Sequence, residues 1–196
     1  NGTGVGNDIA SERKMVRKFI VDSCIYWKKE YDVDGFRFDL MGILDVETMN
    51  MIREKLSQID PSTIIIGEGW DLNTPLSPAK KANIKNESKL PNIGHFNDQF
   101  RDAVKGSTFN LLDRGYVVGN TYYDETVKEG IAGSVGIVTR KGLFSEPAHS
   151  VNYVESNDNH TMWDKLKACI GNEQDEILKK RQQLATSIVL LSQGIP

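Results

Sequence analysis

The chain has 196 residues, 39% of them hydrophobic and 26% charged, a balance that suits a globular fold and excludes wholesale disorder. Its 24 Lys+Arg against 27 Asp+Glu leave a net charge of −3, without the basic excess of a nucleic-acid binder. No apolar run reaches the roughly 18 residues of a membrane span, and two cysteines, Cys24 and Cys169, are too few for a disulfide scaffold or a metal cluster.

Residues 1–8 are rich in glycine and asparagine and read as loop. They lack the basic and apolar regions of a signal peptide, and they fit no phosphate-binding glycine pattern. Residues 10–31 read as a helix with an apolar stripe of Val16, Phe19, Ile20, Cys24, Trp27 and Tyr31. Residues 33–39 alternate as a strand, with Phe36 and Phe38 on one face and Arg37 and Asp39 on the other. Asp45 can cap a second helix carrying Met49, Ile52, Leu56 and Ile59, which Pro61 stops. Residues 63–68 are β-branched and apolar on both faces, as in a buried parallel strand. Together these form a β-α-β unit, whose right-handed crossover would set the two strands parallel.

Residues 73–90 read as an excursion loop, 93–96 as a third short strand and 100–105 as helix. Residues 115–142 are glycine-rich and irregular. Residues 151–158 read as a fourth strand ending in an acid, and 173–191 as an amphipathic helix burying Ile177, Leu178, Leu184, Ile188 and Leu191. Gly194-Ile195-Pro196 is where another strand would begin. Lys179-Lys180-Arg181 reads as a solvated helix face. Trp163, Tyr122 and Tyr123 could stack on sugars, but core packing is the simpler reading of each. The class is α/β with parallel strands.

Asp39, Glu68 and Asp158 each fall at the C-terminal end of an expected parallel strand, the edge where such folds collect their chemistry. Arg37 shares a strand face with Asp39 and would hold it ionised, as a nucleophile requires. Glu68 follows three isoleucines and precedes Trp70, an apolar setting that raises a carboxyl pKa, as a general acid requires. Two acids pushed in opposite directions are the arrangement of glycoside hydrolysis. The bland readings are a helix cap or surface charge for each acid, and a structural ion pair for Arg37 with Asp39. His95 and His160 have no partners at metal-ligand spacing, so no metal is expected.

Asp34-Gly35-Phe36-Arg37-Phe38-Asp39-Leu40-Met41-Gly42 resembles the nucleophile motif of the α-amylase superfamily of glycoside hydrolases. Gly67-Glu68-Gly69-Trp70 resembles its general-acid motif, and the stretch from Tyr153 to Asp164 the motif of its third acid. Gly6-Asn7-Asp8, Ala10-Ser11-Glu12-Arg13, Leu40-Met41-Gly42 and Phe96-Asn97-Asp98 resemble the type I pullulanase subgroup, and the likeness covers nearly the whole chain.

The resemblance implies a partial (β/α)8 TIM barrel, about strands four to seven with their helices. Residues 1–196 would be the C-terminal part of a glycoside hydrolase catalytic domain, truncated at both ends. Asp39 would be the nucleophile, Glu68 the general acid/base and Asp158 the transition-state stabiliser. Arg37, Trp70 and Asn157 would contact substrate. The implied reaction is retaining hydrolysis of α-1,6-glucosidic branches in pullulan and limit dextrins, with no cofactor; calcium in a longer parent is left open. The family usually carries histidine where Asn157 stands, so weaker transition-state binding is expected. Its first motif and its Tyr-Asn-Trp-Gly segment are not in this sequence. The chain alone is therefore expected to be inactive, or to cover its open sheet edges by pairing with another copy. Isoamylase, glycogen-debranching enzyme and a non-catalytic glucan-binding module stay open as alternatives, and so does the compartment.

Overall fold

The structure, a computed structural model, describes residues 2–4, 6–136 and 141–196. Parts of the expected opening loop (Asn1, Val5) and of the irregular glycine-rich stretch (137–140) lie outside the described residues. Two units, Asn1–Phe96 and Asn97–Pro196, each close around their own apolar core.

In the first unit, helix α1 covers Lys14–Tyr31, starting four residues later than the apolar pattern suggests. The reason is Ser11: it is fully buried, its hydroxyl donates to Asp45 at 2.6 Å, and its carbonyl accepts from the Thr48 hydroxyl at 3.0 Å. The segment before α1 is thus tied down by side-chain bonds that compete with helix. The expected stripe is also displaced. Val21, Cys24 and Lys28 form the buried line, whereas Phe19, Trp27 and Tyr31 are exposed. The apolar arc is wider than the one neighbouring helix can cover, and Lys28 claims an inner position by pairing with Asp60 at 2.9 Å.

Strand β1 spans Gly35–Phe38 and helix α2 spans Val46–Ile59. Asp45 caps α2 by accepting from the Thr48 amide at 3.0 Å. Met49, Ile52 and Leu56 are fully buried, while Ile59, the last of the expected inner positions, is exposed. Strand β2, Ile64–Gly67, runs parallel to β1 with Phe38 opposite Gly67. It is not buried on both faces along its length: Ile64 is half exposed, whereas Ile65 is buried. Strand β3, Gly94–Phe96, joins β2 in parallel. The excursion between them holds two short 3-10 turns, Pro78–Lys80 and Ile84–Lys89, anchored by the buried Ala82 and Leu90.

In the second unit, helix α3, Asp98–Lys105, begins two residues earlier than expected because Asn97 caps it, accepting from the Phe100 amide at 3.0 Å. Helix α4, Asp124–Ile131, lies inside the stretch read as irregular. Its glycine is a packing choice: a Cβ on Gly130 would come within 2.6 Å of the Phe100 ring. Strand β4 is only Ser150–Val151, not 151–158. Beyond it the side chains of Ser156, Asp158 and Asn159 bond among themselves, which offers the backbone a turn in place of a ladder.

Helix α5, Met162–Ile170, also escaped the sequence reading, although Thr161 caps it: its hydroxyl accepts from the Asp164 amide at 3.1 Å and donates to the Asp164 carboxylate at 2.8 Å. Helix α6, Asp175–Leu191, buries Leu178, Ala185 and Ile188, while Ile177, Leu184 and Leu191 are exposed. Arg181 is not simply solvated. It grips both oxygens of Glu173 at 2.9 Å and donates to the Val117 carbonyl. Tyr122 is exposed rather than in the core; Tyr123 and Trp163 pack against the core's margin. Where a final strand was expected to begin, a single isolated bridge joins Ile195 to Val151 in parallel. Parallel strands alternating with helices in this order are those of a segment of a (β/α)8 barrel. No helix among the described residues is long and apolar enough to cross a membrane.

Asp45 is the first unit's most connected buried acid. Burial pushes its carboxyl up, but bonds from Ser11 and Thr48 and the charge of Arg17, 2.9 Å away, hold it below the usual aspartate value of 3.8. A depressed value means its stabilisation is present above pH 3.8 and is lost as pH falls through its folded value. Asp45→Ala is expected to cost about 3 kcal/mol at pH 7 by urea unfolding. Asp45→Asn, which keeps the cap, should lose less; equal losses would contradict this.

Candidate active site

The pairing of Phe38 with Gly67 sets the next residues, Asp39 and Glu68, side by side at two neighbouring strand ends. Arg37 joins them. Its Nη1 donates to Asp39 Oδ1 at 3.0 Å and its Nη2 to Glu68 Oε1 at 2.8 Å. The guanidinium also lies 5.4 Å from the centre of the Phe96 ring, on β3, a cation–π contact.

The turn after β1 is built around Glu68. The Leu40 amide donates to Glu68 Oε2 at 2.8 Å, the Gly42 amide to the Glu68 carbonyl at 2.9 Å, and the Glu68 amide to the Phe38 carbonyl at 3.0 Å. Leu40 adopts a left-handed backbone, φ 46°, a conformation that costs a non-glycine residue about 1 kcal/mol or more. The left-handed φ turns the chain sharply after the residue whose amide donates to the carboxylate. Gly42 lets the turn close, since a Cβ there would fall 1.9 Å from the Trp70 carbonyl.

The two acids differ in exposure. The Asp39 side chain is 74% exposed and that of Glu68 9%. Burial raises the Glu68 carboxyl above the usual 4.5. The Leu40 amide opposes this, the negative charge of Asp39 adds to it, and Arg37 opposes it. Trp70 is half-buried, two residues beyond Glu68.

Asp158 and Asn157 belong to the second unit. They lie not at a strand end but on the exposed turn between β4 and α5. The Ser156 hydroxyl donates to Asp158 Oδ1 at 2.6 Å and the Asn159 amide at 3.1 Å, while Glu155 accepts from the amide of Met162, the first residue of α5. Arg37, Asp39 and Glu68 are thus brought into one cluster. The sequence reading missed Leu40, whose role is a backbone one. It also placed Arg37 on Asp39 alone, because the bond to Glu68 depends on strand register.

An arginine between two carboxylates predicts a pH-dependent variant. As pH falls, protonation of the raised Glu68 carboxyl removes one of the two charges that Arg37 bridges. At pH 8 its removal leaves two like charges facing each other. Arg37→Met is expected to lose about 2 kcal/mol more at pH 8 than at pH 4 in urea unfolding; a loss of the same size at both would contradict the shared clamp.

No protein-family model matches the chain. The pullulanase of Bacillus subtilis (strain 168) is 53% identical over 196 residues, covering all of this chain and 27% of that protein. The pullulanase of Klebsiella aerogenes is 30% identical across 96% of the chain and 21% of its own length. The crystal structure of the Anoxybacillus sp. LM18-11 pullulanase complexed with maltotetraose matches with a TM-score of 0.94 at 59% identity, over 100% of this chain and 28% of that one. The type I pullulanase of Bacillus subtilis complexed with maltose matches with a TM-score of 0.96 at 53% identity, again over 100% and 28%. The chain spans about a quarter of the length of these relatives. Over its whole length, it is a homologue of one segment of the pullulanases.

Proposed function

We propose that the chain supplies the acid–base and nucleophile cluster of a retaining glycosidase that cleaves α-1,6 branches in pullulan and related α-glucans, within a barrel domain completed by further polypeptide. The observation that carries the reading is the Arg37 clamp on two acids of unequal environment, one exposed and one buried and raised. Relatives complexed with maltotetraose and with maltose support an α-glucan as the ligand. The reading calls on no cofactor.

Asp39, held by Arg37, attacks the anomeric carbon. Glu68, pushed toward its protonated form by burial and by its neighbour's charge, delivers its proton to the leaving oxygen. Once Asp39 is esterified its negative charge is gone, and with it one cause of the raised Glu68 value. Arg37 is then left to Glu68 alone. Both changes favour the Glu68 carboxylate at the moment when it must take a proton from water. One cation thus serves the two half-reactions in turn. Asp158 is assigned the family's third role, binding sugar hydroxyls at the oxocarbenium-like transition state, with Asn157 and Trp70 as further sugar contacts.

Release of reducing ends from pullulan by the full-length natural polypeptide tests this. Glu68→Gln should lower kcat by about 100-fold to 10,000-fold. Proton NMR should show the α-anomer released first, since two displacements retain configuration. Initial release of the β-anomer, or a Glu68→Gln variant of undiminished kcat, would overturn it.

A further inference from the structure

Lys105, the last residue of α3, is fully buried. Lysine is almost never fully buried without compensation, because an ammonium removed from water needs oxygens around it. Here the oxygens come from one turn. Lys105 Nζ donates to Asn159 Oδ1 at 3.2 Å and to the His160 carbonyl at 2.5 Å. This is the turn that carries Asp158.

The bond from Lys105 decides which way the Asn159 amide faces. An ammonium can only donate, so the Asn159 oxygen must point at it and the nitrogen must point away. That nitrogen donates to Ser156 Oγ at 2.8 Å and to Asp158 Oδ1 at 3.1 Å. The exposed Asp158 carboxylate, which also accepts from the Ser156 hydroxyl at 2.6 Å, is thereby linked through two successive bonds to a cation inside the protein. Hydrogen bonds in such a chain polarise one another.

We propose that Lys105 is a positioning residue for Asp158, acting through Asn159 to fix the rotamer of the sugar-binding carboxylate. The inference rests on the glycosidase reading for the role of Asp158, but not for the grip itself. Burial pulls the Lys105 ammonium down to about 8, against the opposing charge of Glu155, with Arg101 and Lys165 pushing the same way as burial and Asp102 against. It remains protonated at neutral pH and therefore depends on the turn's oxygens.

The test is a double-mutant cycle of Lys105→Met and Asn159→Leu in the full-length natural polypeptide. Each variant should lose about 10-fold to 100-fold in kcat on pullulan with KM little changed, the cost of a displaced catalytic group. The double variant should be no worse than the poorer single one, because both break the same chain of bonds. Hydrogen exchange at the 157–160 amides should quicken in Lys105→Met while that of α6 stays slow. A folded Asn159→Leu variant with wild-type kcat, or losses that multiply, overturns the proposal. Asn159 is only half-buried, so this arm decides even if Lys105→Met does not fold. If the wild type releases no reducing ends, the glycosidase reading fails. Exchange at 157–160 then judges the grip, and protection unchanged in Lys105→Met overturns it.

Discussion

One guanidinium shared by two carboxylates is the interaction on which the candidate site depends. Neighbouring strands lie about 4.8 Å apart, so acids at adjacent ends repel each other unless a cation stands between them. Arg37 is that cation, and its place is set by register: it is two residues before Asp39 on its own strand and opposite Ile66, two before Glu68, on the next. The arrangement constrains its surroundings. Leu40 takes a left-handed backbone in the turn where its amide donates to Glu68, and Gly42 is small so that the turn can close against Trp70.

The cluster stands on a core that owes nothing to the chemistry. Met49, Ile52 and Leu56 of α2 are fully buried, and Asp45 locks the helix start to Ser11 and Arg17. Buried polar bonds of this kind specify one arrangement, because any other leaves a desolvated group unpaired. In the second unit Lys105 and Lys165 do the same. Both are fully buried lysines bonded to backbone carbonyls, of His160 in one case and of Ser107 and Asn110 in the other.

The first unit was the more legible in sequence. Its strands and α2 carry clear periodicity, a capping aspartate and a stopping proline, so these elements fell close to where expected, with Asp39 and Glu68 just past two neighbouring strand ends. Helices α4 and α5 were hidden by different causes. The first is short and carries a glycine that packs on Phe100; the second follows a polar turn whose length was mistaken for strand. Misjudged exposure along α1 and α6 has a common source: periodicity shows that a helix has an apolar arc, not how much of it a neighbour covers. Phe19, Trp27, Leu184 and Leu191 all lie in the uncovered part. The Asp39–Glu68 pairing was readable from motifs, but the bonds from Arg37 and Leu40 to Glu68 were not, since they depend on strand register and a single unusual φ.

The central claim is that Glu68 is held above an ordinary glutamate by burial and by the charge of Asp39. Carboxyl carbon NMR of Glu68 across a pH titration measures this directly, in the wild type and in Asp39→Asn. The account predicts that Glu68 titrates above 4.5 and that its value falls when the Asp39 charge is removed. A Glu68 that titrates at or below 4.5, or that ignores the loss of Asp39, would contradict it.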